Sequence, residues 1–158
     1  MMRITVISDS HRNVRIIRRI LSEREDSAHV FFLGDNTADI EDMAPQFPEK
    51  RFYIVSGNCD FFSVYPTSGI ENLGGRKIFY THGHTLGVKH GTGNLINSAR
   101  AAGCEIALFG HTHTSQILYE NGLYVVNPGS CSEPRDSAKS YAVIDIEQNG
   151  IMPIIIKL

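Results

Sequence analysis

The chain predicts an α/β fold in which a parallel sheet is completed by antiparallel strands, with helices outside. Three observations carry this. Apolar, strand-like runs alternate with helical patterns through the first half; strand patterns alone fill the end of the chain; and polar residues suited to metal stand at or just past the ends of the runs.

The elements follow in order. Ile4-Thr5-Val6-Ile7 reads as a strand, and after Asp9 and His11 the apolar positions Val14, Ile17, Ile20 and Leu21 recur at helical spacing, with Arg12, Arg15, Arg18 and Arg19 on the other face. With the strand Val30-Phe31-Phe32-Leu33 this makes a βαβ unit. A short helical piece around Asp39 to Met43 stops before Pro45 and Pro48, and the next strand opens at Arg51. The aromatic stretch from Asp60 to Thr67 carries no clear pattern. Ile78-Phe79-Tyr80 is strand-like, Asn94 to Ala102 reads as a helix closed by Gly103, and Ile106-Ala107-Leu108-Phe109 follows as a strand. Asn121-Gly122 separates Gln116–Tyr119 from Leu123–Val126, and Asn149-Gly150 separates Tyr141–Ile146 from Ile151–Ile156; both are hairpin signals.

Composition narrows the class. A chain of 158 residues that is 42% hydrophobic and 20% charged suits a single soluble domain spanning residues 1–158. The formal net charge of -2 argues against broad electrostatic capture of nucleic acid or anionic lipid. Cys59, Cys104 and Cys131 have no framework spacing, and the start Met1-Met2-Arg3-Ile4 runs straight into a strand. No secretory signal or membrane span is readable, so a cytoplasmic protein is expected.

Asp9, His11, Asp35, Asn58, His82, His111 and His113 are the candidate metal donors, each at or just past the end of an apolar run. In open α/β sheets strand ends converge on one crevice, so loops distant in sequence can deliver side chains to one small site. The pattern is that of a two-metal hydrolase site. Imidazole and oxygen donors without thiolate favour manganese, iron, zinc, cobalt or nickel over calcium or magnesium.

The blocks Asp9-Ser10-His11, Gly34-Asp35, Gly57-Asn58-Cys59-Asp60, Thr81-His82-Gly83-His84 and Gly110-His111-Thr112-His113 appear in the order and spacing of the calcineurin-like metallophosphoesterases, which the chain resembles over nearly its whole length. Asn127-Pro128-Gly129-Ser130, followed by Pro134-Arg135, is similar to the small YfcE-like phosphodiesterase group of that superfamily. The resemblance implies a four-layer αββα sandwich with mixed sheets and helices outside. It also implies two divalent transition metal ions, manganese foremost. One would be held by Asp9, His11 and His113 and a second by Asn58, His82 and His111, with Asp35 bridging both. Asp35, Asn58 and His84 are then the catalytic candidates, and Asn58, His84 and Arg135 the substrate contacts. The implied activity is hydrolysis of small or nucleotide-like phosphodiesters by a water activated between the two metals.

Each residue has a plainer role to weigh. His29 and His90 fit no block. His84, two residues beyond His82, either faces substrate or hydrogen-bonds a ligand from behind. Asp39 reads as part of a short surface helix, and Asp60 as the anchor of the loop that presents Asn58. The arginines of the first helix read as a solvated face. Arg135 offers bidentate phosphate recognition or a salt bridge with Glu133 or Asp136. Many larger relatives place a histidine directly after the ligand Asn; here Cys59 stands there, and a thiol of pKa ~8.5 is a poor acid at neutral pH.

The resulting expectation is a metal-dependent phosphodiesterase acting on a small-molecule diester, with no membrane partner. One alternative is an interaction scaffold resembling the retromer subunit Vps29, with a vestigial site. Another is a nuclease, disfavoured by the acidic balance and the lack of room for a capping domain. Homo-oligomerisation stays open, since Phe61, Phe62 and Tyr65 suit either a pocket mouth or a dimer contact.

Overall fold

The computed structural model describes residues 1–136 and 138–158. Two five-stranded sheets lie face to face. The first has the order β10-β9-β1-β2-β3 and the second β4-β5-β6-β8-β7. In the first sheet β1 (Met2–Ile7), β2 (His29–Phe32) and β3 (Arg51–Ile54) run parallel, and β9 (Ser140–Glu147) and β10 (Gly150–Lys157) complete it antiparallel. In the second, β5 (Arg76–Thr81), β6 (Ile106–Leu108) and β8 (Leu123–Pro128) are parallel, flanked by antiparallel β4 (Ser68–Leu73) and β7 (Ser115–Glu120).

The period of two along each strand builds the layers. Phe31 and Leu33 of the β2 segment face inward with Ile4, Val6, Ile78, Tyr80, Ile106 and Leu108, forming the core between the sheets. Val30 and Phe32 face outward against Ile17, Ile20 and Leu21 of α1 (Val14–Glu23) and Ile40 and Met43 of α2 (Thr37–Met43). On the opposite side Phe79, Ala107 and Val125 pack against Leu95, Ile96 and Ala99 of α3 (Gly93–Ala101). The αββα sandwich is therefore a consequence of two sheets, each apolar on both faces.

α1 starts where Asn13 caps it by accepting from Ile16 N, and its buried stripe is the predicted one. α3 ends as the sequence implied, with Gly103 at φ +69° and Cys104 N bonding Ala99 O. Asn121 and Gly122 both have positive φ, and Glu120 pairs with Leu123 across them. The second hairpin differs from expectation by one residue: Glu147 pairs with Gly150, so the loop is Gln148–Asn149 and Gly150 opens β10. Pro153 is tolerated because β10 is an edge strand. β4, which the sequence reading passed over, pairs with β5 across Gly74 and Gly75, both at positive φ. Among the described residues, no helix is long and apolar enough to cross a membrane.

Candidate metal centre

All of the predicted donors lie beyond the C-terminal ends of parallel strands. Asp9 and His11 follow β1, Asp35 follows β2 and Asn58 follows β3; on the facing sheet His82 follows β5, and His111 and His113 follow β6. The chain turns sharply to present them: Asp9, His11, Asp35, His111 and His113 all adopt positive φ, between 44° and 67°. Non-glycine residues held in that region cost about 1–3 kcal/mol each and persist only where surrounding contacts over-determine them.

Those contacts are explicit. Asp60 accepts from the backbone N–H groups of Asp35 (2.9 Å), Asn36 (2.9 Å), Thr37 (2.8 Å) and Gly57 (2.7 Å), tying the Asp35 turn to the Asn58 loop as anticipated. Gly57 is obligatory, since a Cβ there would strike the Asp35 carboxylate. A Cβ at Gly110 would strike Ser8 Oγ. Asp39 corrects the surface-helix reading: it is buried, and its carboxylate accepts from Ser10 Oγ (2.6 Å) and Arg12 N (2.8 Å), so it braces the Asp9–His11 turn and joins neither donor cluster.

Two groups of donors result, Asp9, His11, Asp35 and His113 in one, and Asp35, His82 and His111 in the other. Asp35 belongs to both. Its Oδ1 lies 3.5 Å from His82 Nε2 and its Oδ2 3.8 Å from His11 Nε2. Asn58 joins the second group, with Oδ1 3.2 Å from His82 Nε2.

Hydrogen bonding fixes which nitrogens are free. His82 Nδ1 lies 2.7 Å from the Leu33 carbonyl and His113 Nδ1 2.7 Å from that of Glu133. A carbonyl can only accept, so in each neutral ring Nδ1 carries the proton and Nε2 is a bare lone pair. His82 Nε2 then faces Asn58 Oδ1 and, at 3.1 Å, His111 Nδ1; His113 Nε2 faces His11 Nε2 at 3.2 Å and Asp9 Oδ1 at 3.3 Å. Asp9 Oδ1 is buried without a hydrogen-bond partner among the described residues. Lone pairs converging at such distances in a buried place repel unless a cation lies between them.

The contacts within the cluster also shift the titration of its members. Burial pushes the Asp9 carboxyl up, but the contact with His113 and the nearby His82 and Ser8 outweigh it and leave the group below its ordinary range. The same Asp9 contact raises His113. Burial and the neighbouring His82 ring lower His111 to about 4, which keeps that imidazole unprotonated at neutral pH. Partial burial, with Asp35 beside it, lifts the Cys59 thiol, so it is a poorer acid than an ordinary cysteine.

His84 lies with its ring centroid 5.3 Å from His82 and 6.1 Å from His111, its buried Nδ1 unpartnered among the described residues. Arg135 is exposed; its backbone N–H donates to His113 O, and its side chain forms no salt bridge with Glu133 or Asp136 among the described residues. His29 bonds Tyr53 Oη and His90 is exposed, both away from the centre.

Three positioning residues escaped sequence reasoning. Ser8 donates to Asp9 Oδ2, Ser130 donates to the Asp9 carbonyl, and the buried Asn127 amide bridges Gly110 O and Thr112 Oγ1. Asn127-Pro128-Gly129-Ser130 was already conspicuous as a block, and its work is to hold the Asp9 and His111 loops together.

Convergent imidazole and carboxylate donors at strand ends of a two-sheet sandwich define a metallophosphoesterase-type protein, with a donor set suited to divalent metal. The chain belongs to the calcineurin-like phosphoesterase superfamily, whose domain matches residues 2–149. It is 31% identical over 151 residues to the probable metallophosphoesterase YsnB of Bacillus subtilis, covering 94% of this chain and 87% of that one. The crystal structure of a predicted phosphoesterase from Streptococcus pneumoniae superposes with a TM-score of 0.85 at 28% identity, covering 99% of this chain and 89% of the other. At 20% identity the fold alone is shared with an archaeal phosphodiesterase (TM-score 0.72, 98% and 100% covered) and with Vps29 of Cryptosporidium parvum (TM-score 0.75, 99% and 97% covered).

Proposed function

We propose that the protein is a two-metal phosphodiesterase. The observation that carries this is Asp35: its two carboxylate oxygens face two different sets of lone pairs, the geometry a shared ligand requires. Asp9, His11 and His113 would hold one ion and Asn58, His82 and His111 the other, preferably manganese. When bound, such a pair supplies Lewis-acid polarisation of the phosphoryl oxygens and an activated water.

The chain's own residues do the rest. The Leu33 and Glu133 carbonyls fix the tautomers of His82 and His113, so each presents Nε2. The two aspartates offset roughly two of the four positive charges that two divalent ions bring, leaving a site attractive to a diester anion. Asn58, exposed beside the cluster, His84, with its unpartnered nitrogen, and Arg135, exposed and bonded through its backbone N–H to His113 O, would contact the phosphoryl group. Cys59 gives no effective acid, which favours substrates with good leaving groups.

The complete donor set speaks against a scaffold with a vestigial site. The test is a panel of phosphomonoesters, diesters and cyclic nucleotides, assayed on metal-free protein after reconstitution with each candidate metal. Turnover of diesters with manganese is expected. A protein that binds metal fully yet hydrolyses nothing would be the scaffold instead.

A further inference from the structure

Outside the metal centre the most unusual surface is the loop after Cys59, where Phe61 is 84% and Phe62 100% exposed. Exposing two adjacent phenyl rings is costly. Asp60 is locked by the backbone N–H groups it accepts, Ser63 N bonds Asp60 O, and Tyr65 N bonds Ser63 Oγ, so the rings are presented on a fixed turn. The two rings are not equivalent. Phe61 lines a cleft of about 400 Å³ together with His11, Arg12, Asn36, Cys59 and Glu133. The lining of that cleft thus joins a candidate metal donor, His11, to an exposed aromatic ring. Phe62 is absent from that lining and shares with Phe61 a neighbouring cleft that His11 does not line.

The polar groups of the same cleft are suited to the rest of a substrate. Arg12 was read from sequence as part of a solvated helix face, but it stands before α1 at φ +68°, its backbone held by Asp39, and its guanidinium makes no ion pair among the described residues. Among the described residues it is an unpaired cation lining the cleft. Asn36 and Glu133 offer hydrogen-bond donors and acceptors beside it.

We propose that Phe61 is the stacking platform for a nucleobase, so that the substrates of the centre are phosphodiesters bearing a nucleoside, with Arg12 on the phosphate and Asn36 and Glu133 on the polar edges of base or sugar. The inference rests on the phosphodiesterase reading and adds the substrate class to it. A cleft of this size accommodates one nucleoside, and an aromatic face accepts any base.

The test compares two diesters with the same leaving group, thymidine 5′-(4-nitrophenyl phosphate) and ethyl 4-nitrophenyl phosphate, on manganese-reconstituted protein. The parent should prefer the thymidine ester in kcat/KM by about tenfold, as one stacked base implies. Phe61→Ala should abolish that preference, chiefly through KM, and leave the ethyl ester unchanged. Phe61→Trp should keep the preference, and Phe62→Ala should alter neither ester. Equal loss on both esters in Phe61→Ala, no preference in the parent, or loss of the preference in Phe62→Ala through a change of oligomeric state would overturn the proposal. If neither ester is hydrolysed, the phosphodiesterase reading fails on its own. Binding of thymidine 5′-monophosphate against ribose 5-phosphate then decides the stacking question, supporting it if Phe61→Ala removes a preference for the nucleotide and overturning it if the parent has none.

Discussion

His82 lies 2.7 Å from the Leu33 carbonyl through Nδ1, and this one hydrogen bond makes its Nε2 a bare lone pair facing Asn58 Oδ1 at 3.2 Å. Two acceptors are held face to face by the fold. His113, bonded through Nδ1 to Glu133 O, repeats the arrangement on the other side of Asp35. The hydrogen bonds behind the candidate donors therefore decide which lone pairs a metal would meet.

Asp35→Asn should cut phosphodiesterase activity by more than ~100-fold while folding stability changes little, because a neutral amide cannot offer two anionic oxygens to two ions. Kinetics at equal metal content and a thermal melt check this. Activity within a few-fold of the parent would remove the shared-ligand assignment.

Chelation should abolish turnover, and manganese should restore it better than magnesium, which prefers water and hard oxygen ligands to an imidazole-rich cage. Assays of the stripped protein with each metal added back decide the matter. Full recovery with magnesium alone would contradict the ligand set.

Asp60→Ala should lower stability by about 2 kcal/mol or more and activity by about 10–100-fold, since it strips the acceptor from four backbone donors and frees both the Asp35 and Asn58 turns. Denaturant unfolding beside steady-state kinetics separates the effects. A variant stable and active as the parent would mean that the turns hold themselves.

The donors were legible because each follows an apolar run long enough to read as a strand, and α1 was legible because Val14, Ile17, Ile20 and Leu21 sit on one face. β4 was not legible: Ile70 is 46% exposed and the strand alternates with polar residues on a sheet edge, so its one sign was Gly74-Gly75. The bracing role of Asp39 was hidden because Glu41 and Asp42 on the same short helix are also acidic and its partners, Ser10 and Arg12, lie far away in sequence. The left-handed turns at Asp9, His11 and Asp35 leave no mark in residue type, since they are imposed by contacts between loops.

A pH effect on stability is expected away from the site. Asp145 accepts from Arg3 Nε (2.6 Å) and Nη2 (2.7 Å), joining β9 to β1, and this bond holds its carboxyl below the usual range. A folded-state value below the unfolded one, ~3.9, gives stability that is present above that pH and lost as pH falls through the folded value. Asp145→Asn should cost about 1–2 kcal/mol at neutral pH, and the difference should close in strong acid. Urea midpoints at several pH values test the sign; a gap that widens in acid would reverse it.

Cys59→Ser should change turnover little, and Cys59→His should help most on the poorest leaving groups, because general acid catalysis typically contributes ~10²–10⁴-fold. Aryl diesters of graded leaving-group pKa supply the measurement. A shallow dependence in the parent that steepens in the Ser variant would make Cys59 the acid after all.

The most direct test of the shared carboxylate is a manganese titration of the stripped protein followed by electron paramagnetic resonance. Two manganese ions per chain with the spectrum of an exchange-coupled pair are expected, and loss of that coupling in Asp35→Asn. A single, magnetically isolated manganese at saturation in the parent would contradict it.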